Sequence, residues 1–330
     1  MKTVLFPYTD DMEVILVHDG FRDLQIIGAD SFPENRVRIP ESRRIDLSDS
    51  VGAEGLVILP DTLPEGEEEI RRISGITRER GIPVLRRITD ETDRLNYEPL
   101  KKELPVDEYS GMVDKRYPIP VPVVMIVSAG CSCGKFETHL TVSEEFEKAG
   151  YKVTDLCSNP LGALFGMYTV PPFLDSGTIG YGEKIRTLNK YVWCVYQKEK
   201  PDMIILSVPG GVFFRTDDPK EPYGEYLGIF SQAVEADAVI LNIYDDMQID
   251  TQEDMEDLAT NLQYRFGFSV YSIMRQRVIA RRNEETGIYE YYHLPLAGRK
   301  EEDLVINGKD ELKETVAVLI QEMQEGTSEV

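Results

Sequence analysis

Short apolar runs alternate along the chain with longer stretches whose apolar positions recur at helical spacing. In the first third the runs are Thr3–Phe6, Leu24–Ala29, Gly55–Leu59 and Gly81-Ile-Pro-Val-Leu-Arg-Arg87. Between them lie an amphipathic stretch ending at His18, a helical pattern over Glu65–Arg80 and another over Glu91–Lys102. Strands alternating with helices predict a small, open, parallel α/β sheet with a Rossmann-like layout. The first strand is followed by Pro7-Tyr8-Thr9-Asp10-Asp11, without the glycines a dinucleotide requires, so no NAD is expected there.

Tyr117-Pro-Ile-Pro-Val-Pro122 then places proline at alternate positions, which blocks helix and favours a stiff, extended segment. It predicts two domains, 1–116 and 123–330, joined at 117–122. In the larger part, strand Val123–Ser128 leads into helix Lys135–Ala149, strand Tyr151–Asp155, helix Glu183–Glu199, a buried strand from Asp202, and strand Ala238–Ile243. Helix Asp250–Arg265, strand Phe268–Met274, a hairpin over 277–292 and helix Lys309–Gln324 follow. This pattern predicts a doubly wound α/β domain of the P-loop NTPase type. Cys157–Gly182, with Leu161, Leu164, Phe165, Met167, Tyr168 and Phe173, reads as a long apolar loop expected to close over a ligand or contact a partner.

The stretch with the most chemistry is Ser128-Ala-Gly-Cys-Ser-Cys-Gly-Lys-Phe-Glu137. Small residues between a strand and a helix let successive N–H groups converge on an anion, with Lys135 at the positive end of the helix. The phosphate-loop pattern asks for Gly, four residues, Gly-Lys and then Ser or Thr. Ala129 holds the first glycine position and Phe136 the hydroxyl position, so the loop is degenerate. Thr138, two residues further, is rotated by roughly 200° and cannot supply the missing hydroxyl. The binding residues expected here are Gly130, Cys131, Ser132, Cys133, Gly134 and Lys135, faced by Ser207, Gly210 and Gly211 from a second glycine turn. Ser207 stands where a magnesium-holding carboxylate belongs, and Asp202 begins that strand at the opposite edge. ATP or another nucleotide is thus the expected ligand, Mg²⁺ is doubtful, and no metal site is expected.

Charge narrows the partners. With 59 acidic against 36 basic residues the net charge is −23, which repels nucleic acid and anionic membrane. No apolar run approaches the roughly 20 residues of a membrane span, and a cytoplasmic protein is expected. Cys131, Cys133, Cys157 and Cys194 are too few and too uneven for a disulfide framework. Cys131 and Cys133 are read as small loop residues with a lesser claim to reactivity. His18, His139 and His293 complete no catalytic motif. His139, four residues after Lys135, has the best address, yet reads as a helix-surface or core-edge residue. Asp245 and Asp246 are the remaining carboxylates for a metal or a base, with a solvated loop the simpler reading. Arg36, Arg38, Arg43 and Arg44 form an early basic cluster expected to pair with nearby acids. No catalytic residue is assigned.

The order of these pieces, with Ile204-Ile-Leu-Ser-Val-Pro-Gly-Gly211 and Tyr264-Arg-Phe-Gly-Phe268, resembles a bacterial peptide-maturation-system family. The resemblance covers most of the chain. It implies an accessory role in clusters that make Cys-rich ribosomal peptides, beside a radical SAM maturase and an acyl-carrier-related protein. A more distant similarity is to dethiobiotin-synthetase-like P-loop proteins, from which Gly134, Lys135, Gly210 and Gly211 carry over. The expected function is an accessory peptide-maturation protein that binds a nucleotide or other phosphorylated small molecule, with a peptide precursor or peptide-modifying enzyme as partner. An ATP-dependent ligase or transferase and a non-catalytic scaffold are the alternatives.

Overall fold

The computed structural model describes residues 2–6, 10–29, 39–45, 55–58, 75, 79, 81–82, 84–86, 98–111, 115–213, 224–249, 251–285, 289–294 and 308–327. Of the expected helix over 65–80 only Gly75 and Glu79 are among them, both helical, and the loop residues Arg36 and Arg38 lie outside. Two compact units emerge. One comprises residues 1–102 with 160–167, the other 103–159 with 168–330.

In the first unit, β1 (Lys2–Phe6), β2 (Gln25–Ala29), β3 (Gly55–Ile58), β4 (Val84–Arg86) and β5 (Glu98–Pro99) form a parallel sheet in the order β2-β1-β3-β4-β5. Helix α1 (Asp10–Val17) follows β1. Of the helix expected over 91–102, residues 91–97 lie outside the described residues, and 98–102 is not helical, Glu98 and Pro99 pairing with β4 instead. Arg43 donates to the Ile26 carbonyl at 2.8 Å and pairs with Asp19 at 2.7 Å, and Arg44 donates to the Ile39 carbonyl. These two members of the basic cluster brace the unit internally.

Residues expected to form an exposed lid are instead core. Pro160–Phe165 winds as a 3₁₀ helix, and Leu161, Leu164, Phe165 and Met167 are buried. The Phe165 ring packs 5.8 Å from Phe21, Arg22 donates to the Phe165 carbonyl at 3.2 Å, and Lys102 donates to the Gly166 carbonyl at 2.9 Å. The run looked like a lid because it lacks helical or strand periodicity; its apolar side chains are covered by residues far away in sequence. Phe165→Ala is expected to destabilise the first unit by about 3–5 kcal/mol, measured by denaturant unfolding. Limited proteolysis of the wild type should spare 160–167.

The second unit holds the larger sheet, built from β6 (Val123–Ser128), β7 (Val153–Cys157), β8 (Tyr168–Thr169), β9 (Met203–Ser207), β10 (Ala238–Ile243) and β11 (Val270–Arg275). Its order is β11-β10-β6-β9-β7-β8, all parallel. Central strand β6 is buried throughout, as expected of a strand covered on both faces. Val123, Met125 and Val127 enter one core, and Val124 and Ile126 the other. Helices α2 (Val106–Tyr109), α3 (Lys135–Lys148), α4 (Tyr181–Glu199), α5 (Glu225–Ala233), α6 (Gln252–Phe266) and α7 (Lys309–Thr327) accompany the sheet. The hairpin of β12 (Val278–Arg282) and β13 (Tyr289–His293) is antiparallel.

The proline segment lies within this unit. Tyr117 exchanges two hydrogen bonds with Asn189, its ring packs at a 30° tilt with its centroid 4.6 Å from that of Trp193, and Ile119 and Val121 pack on the core. Its prolines keep it extended, but its apolar residues between them give it a surface to dock. The chain is a two-unit α/β protein whose larger unit is an all-parallel six-stranded sheet with a glycine-containing loop between β6 and α3.

Candidate phosphate-binding site

The loop after β6 turns back through two residues with positive φ, Ser132 at 50° and Gly134 at 64°. A side chain at Gly134 would also collide with Gln276, whose Oε1 would lie 2.0 Å from the added Cβ. Two further glycines permit backbone contact. At Gly130 a Cβ would lie 2.5 Å from the Tyr244 hydroxyl, and at Gly211 it would lie 2.3 Å from Gly130 Cα. Only hydrogen fits there. The second glycine turn is tied to the loop by Val212 N–H on the Ser128 carbonyl at 2.9 Å and Phe213 N–H on the Ala129 carbonyl at 3.1 Å.

Lys135 opens α3 and folds back across this neck. Its Nζ donates to Ser128 Oγ at 2.6 Å and to the Gly210 carbonyl at 2.7 Å. Ser128 Oγ in turn donates to the Gly130 carbonyl at 2.7 Å. These partners of Lys135 are neutral oxygens, so a phosphate arriving at the loop replaces uncharged acceptors with charged ones. Of the residues anticipated from the sequence, Gly130, Gly134, Lys135, Gly210 and Gly211 meet at this neck. Cys131 and Ser132 form the loop's more open part, whereas Cys133 is buried. Ser207 points elsewhere, its Oγ accepting the Ser158 N–H at 2.8 Å.

The groups that normally hold magnesium do not fit it here. Phe136 is buried, and Thr138 is locked in a network with Asn242 and Gln276: Asn242 Nδ2 donates to Thr138 Oγ1 at 2.9 Å, and Gln276 Nε2 to the same oxygen at 3.3 Å. Among the described residues no group of three or more His, Cys, Asp or Glu stands ready for a metal ion. Asp246 is exposed at the end of β10.

Sequence reasoning missed the groups that shape the loop from β10 and β11. Asn242 Nδ2 also donates to the Cys133 carbonyl at 3.1 Å, and the Tyr244 hydroxyl donates to the Cys131 carbonyl. Tyr244 stacks on Tyr291 of β13 at 6.1 Å. His139, read as a helix-surface or core-edge residue, is fully buried, and its partner was missed: its Nε2 lies 2.9 Å from Asp155 Oδ1 and its exposure is 0%. The available signals were spacing ones, His139 one helical turn past Lys135 and Asn242 at the end of an apolar strand.

No protein-family model matches the chain and no curated relative is similar to it. Among solved structures, a DUF1611 family protein from Anabaena variabilis aligns over 83% of this chain and 87% of its own, with a TM-score of 0.54 and 11% identity. At that identity the likeness establishes the fold alone. A nucleotide-binding protein from Archaeoglobus fulgidus in complex with ADP covers 59% of this chain and 85% of its own at 15% identity, with a TM-score of 0.35. Cobyrinic acid a,c-diamide synthase from Mycobacterium smegmatis, with a bound ATP analogue and magnesium, covers 62% and 97% at 12% identity, with a TM-score of 0.37. These last two superpose too loosely to carry an argument. The fold and the loop together define a parallel α/β protein with a glycine-containing strand–loop–helix turn that has Ala129 and Phe136 at two of the phosphate-loop pattern's positions. No helix among the described residues is long and apolar enough to cross a membrane.

Proposed function

We propose that the second unit binds the phosphate end of a nucleotide, or of another phosphorylated small molecule, at Gly130–Lys135, and does so without the magnesium set of an ordinary ATPase. The observation that carries this reading is Lys135 Nζ at the neck between two glycine turns, held by Ser128 Oγ and the Gly210 carbonyl beside a left-handed Gly134. Backbone N–H groups at the start of α3 and one lysine charge suit a phosphate. Phe136 offers no metal-ligating atom and Ser207 Oγ is engaged by the Ser158 N–H, which favours binding, and with it an accessory role, over hydrolysis. Its place in maturing a ribosomally made peptide rests on the motifs shared with that family, Lys-Phe-Glu and Pro-Gly-Gly among them.

Thermal unfolding with ATP, ADP, GTP and GDP tests the binding. A ligand at 100 times its dissociation constant adds about 2.7 kcal/mol, raising Tm by several degrees. A charge-assisted hydrogen bond contributes about 1.5–3 kcal/mol, so Lys135→Ala should weaken the ligand roughly 10- to 100-fold. Chelating Mg²⁺ should leave most of the wild-type gain in place. Equal melting of wild type and Lys135→Ala with all four nucleotides removes the nucleotide and leaves a scaffold. A candidate precursor peptide added to the nucleotide-bound protein tests the peptide role, with calorimetry reading a second binding event.

A further inference from the structure

Hydrogen bonds to β10 fix which way the peptide groups of the loop face. The Cys131 carbonyl accepts from the Tyr244 hydroxyl, and the Cys133 carbonyl accepts from Asn242 Nδ2 at 3.1 Å. Asn242 also takes the Ala129 N–H on its own carbonyl at 2.8 Å, so the end of β10 grips the loop at alternate residues. In a trans peptide the C=O of one residue points opposite to the N–H of the next. With the Cys131 and Cys133 carbonyls turned in toward Tyr244 and Asn242, the N–H groups of Ser132 and Gly134 are turned away from β10. Neither of those N–H groups makes a hydrogen bond among the described residues. Ser132 is exposed and Gly134 half-buried, so both are within reach of a ligand from solvent.

The other end of the site is closed. Lys135 Nζ reaches in to Ser128 Oγ at 2.6 Å and to the Gly210 carbonyl at 2.7 Å. Both are acceptors toward whatever lies there, because Ser128 gives its own proton to the Gly130 carbonyl. A lysine side chain swings easily toward a phosphate in the loop, but the Gly210 carbonyl is backbone and is held in place. Val212 and Phe213 are bonded to the Ser128 and Ala129 carbonyls, and Gly211 is packed so close to Gly130 that an added Cβ would lie 2.3 Å from its Cα. A phosphate chain that enters over Ser132 and Gly134 therefore meets Lys135 and then a carbonyl oxygen. Phe136 supplies no hydroxyl at the position that would bring magnesium to offset further charge.

We propose that the ligand ends in a diphosphate, as a nucleoside diphosphate does, and that the site discriminates against the corresponding triphosphate. This rests on the phosphate-binding reading of Gly130–Lys135. The terminal phosphate takes Lys135, and the one before it takes the Ser132 and Gly134 N–H groups. A third phosphate would press a further negative charge on the Gly210 carbonyl oxygen, in a chain whose net charge is already −23. An anionic group left against an acceptor, with no donor to replace its water, loses affinity.

Isothermal titration of the full chain in EDTA tests this with two pairs of probes, ADP against ATP and inorganic pyrophosphate against tripolyphosphate. The diphosphate of each pair is expected to bind at least about tenfold more tightly than the triphosphate. Lys135→Ala should weaken ADP roughly 10- to 100-fold, which places the ligand at this loop. Pyrophosphate that outbinds tripolyphosphate while ADP fails to bind upholds the diphosphate and removes adenosine as its carrier. ATP binding as tightly as ADP, or more tightly, with Lys135→Ala weakening both, overturns the diphosphate and leaves the loop as a phosphate site. ADP that binds Lys135→Ala as tightly as wild type lies elsewhere on the chain, and the proposal falls. If none of the four probes binds, the phosphate-binding reading fails and takes the diphosphate with it.

Discussion

Gly211→Ala is expected to lower the stability of the second unit by about 3 kcal/mol or more and to abolish the rise in Tm caused by a phosphorylated ligand. The added Cβ would meet Gly130 Cα at 2.3 Å, with Gly130 N and the Ala129 carbonyl both at 2.8 Å. All three are backbone atoms, which cannot swing aside as a side chain can. Relief requires the two glycine turns to part, and that breaks the Val212 and Phe213 N–H bonds to the β6 end. Overpacking typically costs about 1–3 kcal/mol, and each lost hydrogen bond adds about 1 kcal/mol. At about 2–4 °C per kcal/mol for a domain of this size, Tm should fall by roughly 6 °C or more. Gly177→Ala, with nothing within 4 Å of the added atom, is the control and should stay within about 0.5 kcal/mol of wild type. If Gly211→Ala melts like Gly177→Ala and still responds to ligand, the glycine turns are not in contact.

Asp155→Ala should be as damaging, by a different route. It strips a buried imidazole of the carboxylate that balances it and leaves Ser143 without its acceptor. Removing one partner of a buried pair costs about 3–5 kcal/mol. The same pair gives the wild type a pH dependence of definite sign. His139 titrates near 6.5 when unfolded and is pushed up to about 9 in the folded chain by Cys157 and Asp155, against the opposing effect of burial. Its contribution is therefore fully present below about pH 6.5 and is lost as the pH rises through about 9. Urea unfolding from pH 6 to 10 should show stability falling across that window in the wild type, with a smaller fall in Asp155→Ala, where the contribution of Cys157 remains. A wild-type curve that is flat over the window would mean that His139 is neutral in the folded protein.

Both predictions concern groups whose importance was unequally visible beforehand. Gly211 was marked out by the Pro-Gly-Gly turn after an apolar strand, a signal contained within a few neighbouring residues. His139 and Asp155 are 16 residues apart, on a helix and the strand after it; spacing from Lys135 singled out His139, but nothing local pairs it with Asp155. Thr138 and Gln276, 138 residues apart, are more remote still. Leu161 to Met167 misled for the same reason: apolar residues without periodicity read as exposed, and only their distant neighbours bury them.

What the amino-acid sequence determined by itself is what local physics controls. Alternating apolar runs and amphipathic stretches specified parallel α/β architecture, and small residues before Lys135 specified a tight turn through Ser132 and Gly134. Phe136 put an apolar ring where the phosphate-loop pattern asks for a hydroxyl. Only the tertiary structure decided the rest. The order β11-β10-β6-β9-β7-β8 sets β6 between β9 and β10, so Gly210 and Gly211 reach the loop from one side and Asn242 and Tyr244 from the other. It also lays β7 under α3, which joins His139 to Asp155. Strand order is a sum over many weak apolar contacts distributed along the whole chain, and no single segment contains it.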